Sequence, residues 1–291
     1  MRYTEAWKDY RLLDTSSGER LEQWGEVILI RPDPQILWST PKNHPAWKKA
    51  HAHYHRSSKG GGSWEYKRKI PEKWAITYRD LHFEVSPTGF KHTGLFPEQA
   101  VNWDFLTEKI QNAHRPISVL NLFAYTGGAS VACAKAGAKV CHVDASKGMV
   151  AWAKENAALS KIPGDRIRYI VDDCLKFVER EIRRGNRYDI ILMDPPSYGR
   201  GSGGEIWKLE DSIYPFLEKV SLLLSDEPVA FLLNSYTTGL SPAVMAYLLD
   251  TTVFSRPQCK RGEISSSEIG LWVEETGRCL PAGQTAIWQM R

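Results

Sequence analysis

Val119-Leu120-Asn121-Leu122-Phe123-Ala124-Tyr125-Thr126-Gly127-Gly128-Ala129-Ser130 is the stretch whose reading decides the fold. An apolar run, Ser118–Phe123, leads into a small-residue turn, and a helical pattern opens at Gly128 and continues to Ala136. A buried strand feeding a helix through such a turn is the first unit of a parallel α/β sheet. Glycines there let a ligand approach the backbone, and the helix start offers unpaired N–H groups at the positive end of a dipole. That end suits a phosphate or a carboxylate. A dinucleotide fingerprint needs a third glycine, and a Walker loop needs Gly-Lys-Ser/Thr. Neither is present, which disfavours phosphate ligands and places an NAD-dependent dehydrogenase last among the readings.

The same alternation continues downstream. Lys139–Val143, Ile167–Val171, Tyr188–Met193 and Val229–Leu233 read as strands. Helical patterns lie near Lys147–Leu159, Leu175–Arg184 and Pro242–Leu249, with further helical segments between Ile206 and Leu224. Glu263–Trp272 and Thr285–Gln289 look like a final antiparallel pair. This order predicts a Rossmann-like, mostly parallel sheet with helices on both faces and an antiparallel last strand, its chemistry at the C-terminal strand ends. Upstream, residues 1–92 have a different texture. Short β-like runs such as Glu26–Ile30 and Leu81–Val85 are punctuated by Pro32, Pro34, Gly60-Gly61-Gly62 and Pro87-Thr88-Gly89, which predicts a small β-rich module.

Acids stand where a ligand would meet those strand ends. Asp144 follows the second strand, nineteen residues past Tyr125, where a carboxylate can accept both hydroxyls of a ribose. Asp172-Asp173-Cys174 follows the third, and a carboxylate there can take a hydrogen bond from an adenine amino group. Helix capping is the competing role for Asp144, Ser146 and Asp173. Asp194-Pro195-Pro196-Ser197-Tyr198 follows the fourth strand. Each feature alone is weak; four acid- or glycine-bearing strand ends in order on one sheet are not.

Composition is that of an ordinary globular protein: 291 residues, 42% hydrophobic and 25% charged. Disordered, collagen-like and helical membrane classes are excluded. Five scattered cysteines without a C-x-x-C pair, behind an N-terminus that lacks an apolar leader, predict reduced thiols in a cytoplasmic protein. The net charge of +4 is uneven: Lys42–Lys73 carries nine Lys/Arg against Glu65 and Glu72, or +7, leaving the rest at −3. Trp47, Tyr54, Trp64, Tyr66 and Trp74 are interleaved with those charges. Basic plus aromatic is the composition that grips phosphates and stacks bases, and a solvated surface arm is the plainer reading. Within it, His51, His53 and His55 would share one face of a strand. No carboxylate or thiolate lies near them in sequence and Lys48, Lys49 and Arg56 repel a cation, so no metal is expected.

At this point the chain resembles a known group, the class I S-adenosylmethionine-dependent methyltransferases, and is most similar to the bacterial family of large-subunit ribosomal RNA cytosine-C5 methyltransferases. The matching stretches are His92–Gln99, Asn121–Gly128, His142–Ser146, Ala153–Asn156 and Met193–Pro196. The resemblance covers about Lys91 to Tyr236 and is more specific for cofactor than for substrate. It implies S-adenosyl-L-methionine as cofactor, residues 93–291 as the methyltransferase domain, and 1–92 as an accessory module. It further implies that Tyr125, Thr126, Gly127 and Gly128 hold the methionine end, and that Asp144 with Ala145 holds the ribose. Asp173 and the Cys174 backbone would hold the adenine, while Phe96 and Gln99 close over the cofactor. Asp194, Pro195 and Pro196 would line the transfer site.

The acceptor narrows by elimination. Carbon-5 of cytosine becomes nucleophilic only after a thiolate adds to carbon-6, so such enzymes need a cysteine at the transfer site. Here the stretch after the fifth strand reads Leu232-Leu233-Asn234-Ser235-Tyr236-Thr237-Thr238-Gly239, and Cys174 belongs to the adenine side. A nitrogen acceptor needs no covalent step. Asp194 can orient an amine, Tyr198 can stack on a flipped base, and Asn234 and Tyr236 are expected to face the same cleft. Ser197 separates Tyr198 from the prolines, unlike the amino-methylating pattern. The glycine-rich Gly199–Gly204 is a candidate substrate-gated lid, a plain mobile loop being the alternative. The resulting expectation is a methyltransferase acting on RNA, most readily ribosomal RNA, at a base nitrogen, with Lys42–Lys73 gripping the RNA. A small-molecule or protein acceptor, and a cofactor-binding RNA module without turnover, are the alternatives.

Overall fold

The structure is a computed structural model that describes residues 1–57, 61–89, 91–200, 206–237 and 239–291. The chain divides into two compact units. The first comprises Met1–Val101 with Gly270–Ala282, the second Asn102–Ile269 with Gly283–Arg291. No helix among the described residues is long and apolar enough to cross a membrane.

The first unit is built on strands β1 (Tyr10–Ser16), β2 (Glu19–Trp24), β3 (Val27–Pro32), β4 (Ala52–Arg56) and β5 (Gly62–Tyr66). β1 and β2 are joined by Ser17-Gly18 with φ of 54° and 75°, the pair of left-handed residues that a tight hairpin of the right twist demands. β3 pairs antiparallel with β2, β4 parallel with β3 and β5 antiparallel with β4. A separate hairpin is formed by β6 (Trp74–Tyr78) and β7 (Leu81–Val85). Leu13, Leu21, Ile30, Ala46, Trp47 and Ala50 form one core. Beside it Glu22, fully buried, accepts from Tyr10 Oη at 2.9 Å and from Arg31 Nε and Nη2 at 2.5 and 2.7 Å. Burial pushes its carboxyl upward, but Arg20 and Arg31 outweigh that and hold it at about 2.

Lys42–Lys73 is therefore part of the sheet rather than an arm. It supplies a short 3-10 helix, Pro45–Lys49, and both strands of the β4–β5 hairpin. Period-two patterning is weak in so charged a segment, which hides its strands from sequence reading.

The second unit begins with helix α1 (Ala100–Asn112), whose first two residues belong to the first unit. Then follow β8 (Ser118–Leu122), α2 (Gly128–Lys135), β9 (Lys139–Asp144), α3 (Lys147–Leu159), β10 (Ile167–Val171), α4 (Cys174–Arg184) and β11 (Ile190–Met193). A two-stranded ribbon, β12 (Tyr198–Arg200) and β13 (Ile206–Lys208), precedes α5 (Leu209–Ser221), so the segment read as helical from Ile206 starts as a strand. β14 (Ala230–Ser235), α6 (Pro242–Thr252), β15 (Gly262–Val273) and β16 (Arg278–Met290) complete the chain. Strand order is β10-β9-β8-β11-β14-β16-β15, parallel through β14, with β16 antiparallel to it. The order reverses between β8 and β11, the place where open α/β sheets bind ligands. The expected parallel sheet with an antiparallel final strand is what the chain forms.

The reasons are local. α3 is capped by Ser146, which accepts from Met149 N, and α6 by Ser241 with Pro242 in its first turn. α4 ends at Gly185, in the left-handed conformation that releases a helix. Leu120, Leu122, Val143, Ile191, Met193, Phe231 and Leu233 stack in a continuous core with Phe177 and Phe216.

Candidate active site

Register brings the strand exits level. Leu122 pairs with Val143 on one side and Met193 on the other; Asp144 pairs with Val171 and Met193 with Leu233. The turn after β8, Asp144, Asp172-Asp173, Asp194 and Asn234 therefore emerge along one edge of the sheet.

The turn after β8 is held in an uncommon shape. Phe123 and Tyr125 have φ of 55° and 51°, and Gly127 has 82°. Non-glycine residues pay for that conformation, so the surroundings must fix it. Asp144 supplies part of the fixing: its Oδ2 accepts from Tyr125 N and its Oδ1 from Ser146 N, both at 2.8 Å. Asn156, fully buried, donates from Nδ2 to Thr126 O at 2.8 Å. Asn121 Nδ2 donates to Ser130 Oγ at 2.9 Å, and Ser130 Oγ lies 3.0 Å from His142 Nδ1. Burial pushes His142 down to about 4, so it sits there as neutral imidazole.

The glycines act by close packing. A Cβ on Gly127 would lie 2.8 Å from Ala153 Cβ on α3, and one on Gly128 would lie 2.6 Å from the Trp103 ring on α1. Their contribution is to seat α2 against its neighbours. α2 itself has no side-chain cap, in contrast to α3, α4 and α6, so its first-turn N–H groups face the strand exits without an internal acceptor side chain. That donor set suits a carboxylate. A carboxylate at β9, N–H donors at α2 and no lysine in the turn fit an amino-acid-bearing nucleoside better than a polyphosphate.

After β10, Asp173 caps α4, its Oδ1 accepting from Lys176 N at 3.0 Å, and Asp172 is paired with Arg180. The Cys174 thiol points into the core, where Sγ accepts from Phe123 N at 3.4 Å. Burial raises its pKa far above the ordinary thiol range, and raises Cys133 and Cys259 to about 12 and Cys141 to about 11. Cys279, half-buried, belongs to the first unit.

After β11, Pro195 is buried while Pro196, Ser197 and Tyr198 are exposed, Tyr198 at 53%. Trp207 Nε1 donates to Pro196 O at 2.7 Å, Leu209 N to Ser197 O at 3.0 Å, and Ser197 Oγ lies 2.6 Å from Thr237 Oγ1. The β12–β13 ribbon thus fixes the Asp-Pro-Pro exit. Residues 201–205, most of the glycine-rich stretch, lie outside the described residues. Asn234 is buried, its Oδ1 accepting from Asn102 Nδ2 at 3.1 Å and Thr285 Oγ1 at 2.7 Å. Tyr236 packs closely on Gly283, whose missing Cβ would come within 2.8 Å of the ring. Phe96 and Gln99 belong to the first unit, Phe96 beside His92 and Gln99 closing a 3-10 turn.

Sequence reading missed Asn102, Thr285, Ser130, His142, Asn156 and Trp207. All serve as supports rather than at the strand exits, and apolar-looking surroundings conceal them. A polar residue inside an otherwise apolar run, as at Asn121 and His142, was the available signal.

Comparison with known proteins places this geometry. The S-adenosylmethionine-dependent methyltransferase family model matches residues 36–223. A solved SAM-dependent methyltransferase from Agrobacterium tumefaciens is 36% identical and superposes with a TM-score of 0.92, covering 99% of this chain and 93% of that one. Among curated proteins, "Ribosomal RNA large subunit methyltransferase K/L" of Shewanella sp. (strain MR-4) is 36% identical over 143 residues, or 48% of this chain and 19% of that protein. Its counterpart in Colwellia psychrerythraea is 30% identical over 214 residues, 72% of this chain and 26% of that protein. The matched stretches thus span only a fifth to a quarter of those two relatives' length. With the family matched over most of the chain and the strand-exit acids in their expected order, the chain belongs to the S-adenosylmethionine-dependent methyltransferases and uses S-adenosyl-L-methionine as its cofactor.

Proposed function

We propose that this enzyme methylates RNA, ribosomal RNA foremost, at a base nitrogen rather than at carbon-5 of cytosine, and that it works in the cytoplasm. The observation that carries the choice of atom is the absence of a thiol in Asp194–Tyr198 and Asn234–Thr237, together with the burial of Cys174. Without an attacking thiolate the cytosine ring stays unactivated. The RNA assignment draws on the rRNA methyltransferase relatives and on two exposed adjacent pairs, Lys48-Lys49 and Lys67-Arg68, the second next to the exposed Tyr66. Trp47 and Tyr54 are buried, so they pack the module and do not stack bases.

When bound, S-adenosyl-L-methionine supplies a methyl group on a sulfonium, and the acceptor attacks it in line. The protein's task is then alignment. In this reading the α2 N–H groups and the Tyr125–Gly128 turn receive the methionine end, Asp144 the ribose, and Asp173 with the Cys174 N–H the adenine. Asp194 accepts a hydrogen bond from the acceptor amine and orients its lone pair. Tyr198 stacks on the base, Pro195 and Pro196 hold the exit rigid, and Asn234 acts as a positioning residue behind it.

The test is transfer of labelled methyl from S-adenosyl-L-methionine to total RNA of a strain lacking the gene, followed by nucleoside mass spectrometry. One labelled nucleoside methylated on nitrogen is expected. 5-Methylcytosine would overturn the choice of atom. No incorporation, with cofactor binding intact by calorimetry, would move the acceptor to a small molecule or protein. Neutralising Lys48, Lys49, Lys67 and Arg68 together should abolish salt-sensitive RNA binding, and Asp194→Ala should retain cofactor binding while losing turnover.

A further inference from the structure

The β4–β5 hairpin brings together side chains that sequence holds apart. His53 and His55 alternate on β4, so both project from the same face, and their rings lie 4.0 Å apart between centroids. Glu65 on β5 is the cross-strand partner of His53. One ligand atom from each of His53, His55 and Glu65 falls within 4.8 Å of the other two. The missing carboxylate of the sequence reading is therefore delivered by strand pairing.

We infer that His53, His55 and Glu65 form a binding site for a divalent transition-metal ion of the zinc type. Two imidazoles and one carboxylate are a donor set that Zn²⁺ accepts, and three protein ligands leave a position for water. A site on one hairpin face is also reachable without unfolding, since His55 and Glu65 are exposed and His53 is half-buried.

The surroundings are consistent with a ligand cluster. Glu19 Oε1 lies 2.5 Å from His53 Nε2, an imidazole–carboxylate contact of the kind that orients metal-binding histidines. Glu19 is held in turn by Lys42 Nζ at 2.6 Å. His51, the third histidine of the run, is already committed, its Nδ1 accepting from Ile28 N at 3.0 Å, and takes no part. The opposing feature is Lys67, whose ammonium lies 4.0 Å from Glu65 and must swing aside. A bound ion would tie β4 to β5 at the base of the segment 57–61 that joins them.

The experiment is titration of the tag-free, metal-stripped full chain with Zn²⁺ alone, without cofactor or RNA, by calorimetry and by inductively coupled plasma analysis after dialysis. One equivalent bound with Kd of about 10 μM or tighter is expected. His53→Ala, His55→Ala and Glu65→Gln should each weaken it by at least about tenfold, and Glu19→Gln by a smaller factor. His114→Ala, an exposed histidine of the other unit, is the control. Because His55 and Glu65 are exposed, their variants test the site without threatening the fold. Binding weaker than this, or binding unchanged in His55→Ala and Glu65→Gln, overturns the proposal whatever the RNA assay shows.

Discussion

The first unit buries full charge, with Glu22 clasped by Arg31 and flanked by Arg20 beneath its sheet. Around the strand exits of the second unit, the fully buried polar groups are neutral: Asn121, Ser130 and His142 behind the turn, Asn156 on Thr126, and Asn102, Asn234 and Thr285 beneath the fifth exit. Its buried carboxylates Glu181 and Asp189 lie elsewhere, on α4 and before β11. The difference follows from what each unit must do. A fixed buried charge near a sulfonium cofactor would act over several ångströms in a poorly screened interior. A neutral scaffold leaves Asp144, Asp173 and Asp194 as the charges that set the field at the edge. In the first unit an ion cluster can specify strand register.

The sharpest way to break this comparison is to strip the charge from the first unit. Glu22→Gln leaves Arg31 buried without its anion and strips Arg20 of one of its acidic neighbours, and urea unfolding should show a loss of about 3–5 kcal/mol. A loss under 1 kcal/mol would mean that water reaches the cluster. Next in size is the acid response of the second unit. His142 is pushed from 6.5 to about 4 by burial, so the unfolded chain binds its proton first as pH falls. Stability should be full above about pH 6.5 and decline toward pH 4, by up to about 3 kcal/mol from this group. His142→Gln should remove this group's share of that slope. His92, also lowered to about 4 by burial and by Arg31 and Lys91, contributes in the same window and remains in the variant. Glu22 acts lower, its contribution vanishing only as pH falls from about 4.5 toward 2.

Gly127→Ala should cost about 1–3 kcal/mol, since it combines a left-handed backbone with a Cβ 2.8 Å from Ala153, and should weaken cofactor binding with it. The smallest effect separates capping from ligation at Asp173. Asp173→Ala should lose about 1 kcal/mol, whereas Asp173→Asn retains the cap. If Asp173 also meets the adenine amino group, Asp173→Asn should still lose cofactor affinity in calorimetry.

Much of the second unit was legible because its strands are continuous apolar runs and α3, α4 and α6 carry their own caps; Lys147–Leu159 and Ile167–Val171 are found where the periodicity puts them. β12 and β13 were not, because three-residue strands lack a period to detect. The strand-exit acids were legible through position alone, but their commitments were not. Nothing in the order of residues says that Asp144 spends both oxygens on Tyr125 N and Ser146 N, or that Asn234 is tied to Thr285 fifty-one positions later. Those depend on register between distant strands. The histidine–glutamate cluster was hidden for the same reason: Glu65 is ten residues from His55 along the chain and opposite His53 in the sheet.

The long β15–β16 hairpin has a consequence for how the protein is made. Its tip, Gly270–Ala282, belongs to the first unit, where β1 runs parallel to the end of β15 and Glu274 N and Glu275 N donate to Leu12 O and Leu13 O. A ribosome that has delivered Met1–Val101 has not delivered the strand that covers β1. The amino-terminal module must wait, its sheet edge open, while nearly all of the second unit is synthesised. Chains stalled before residue 282 should consequently be the ones that chaperones hold and proteases clear.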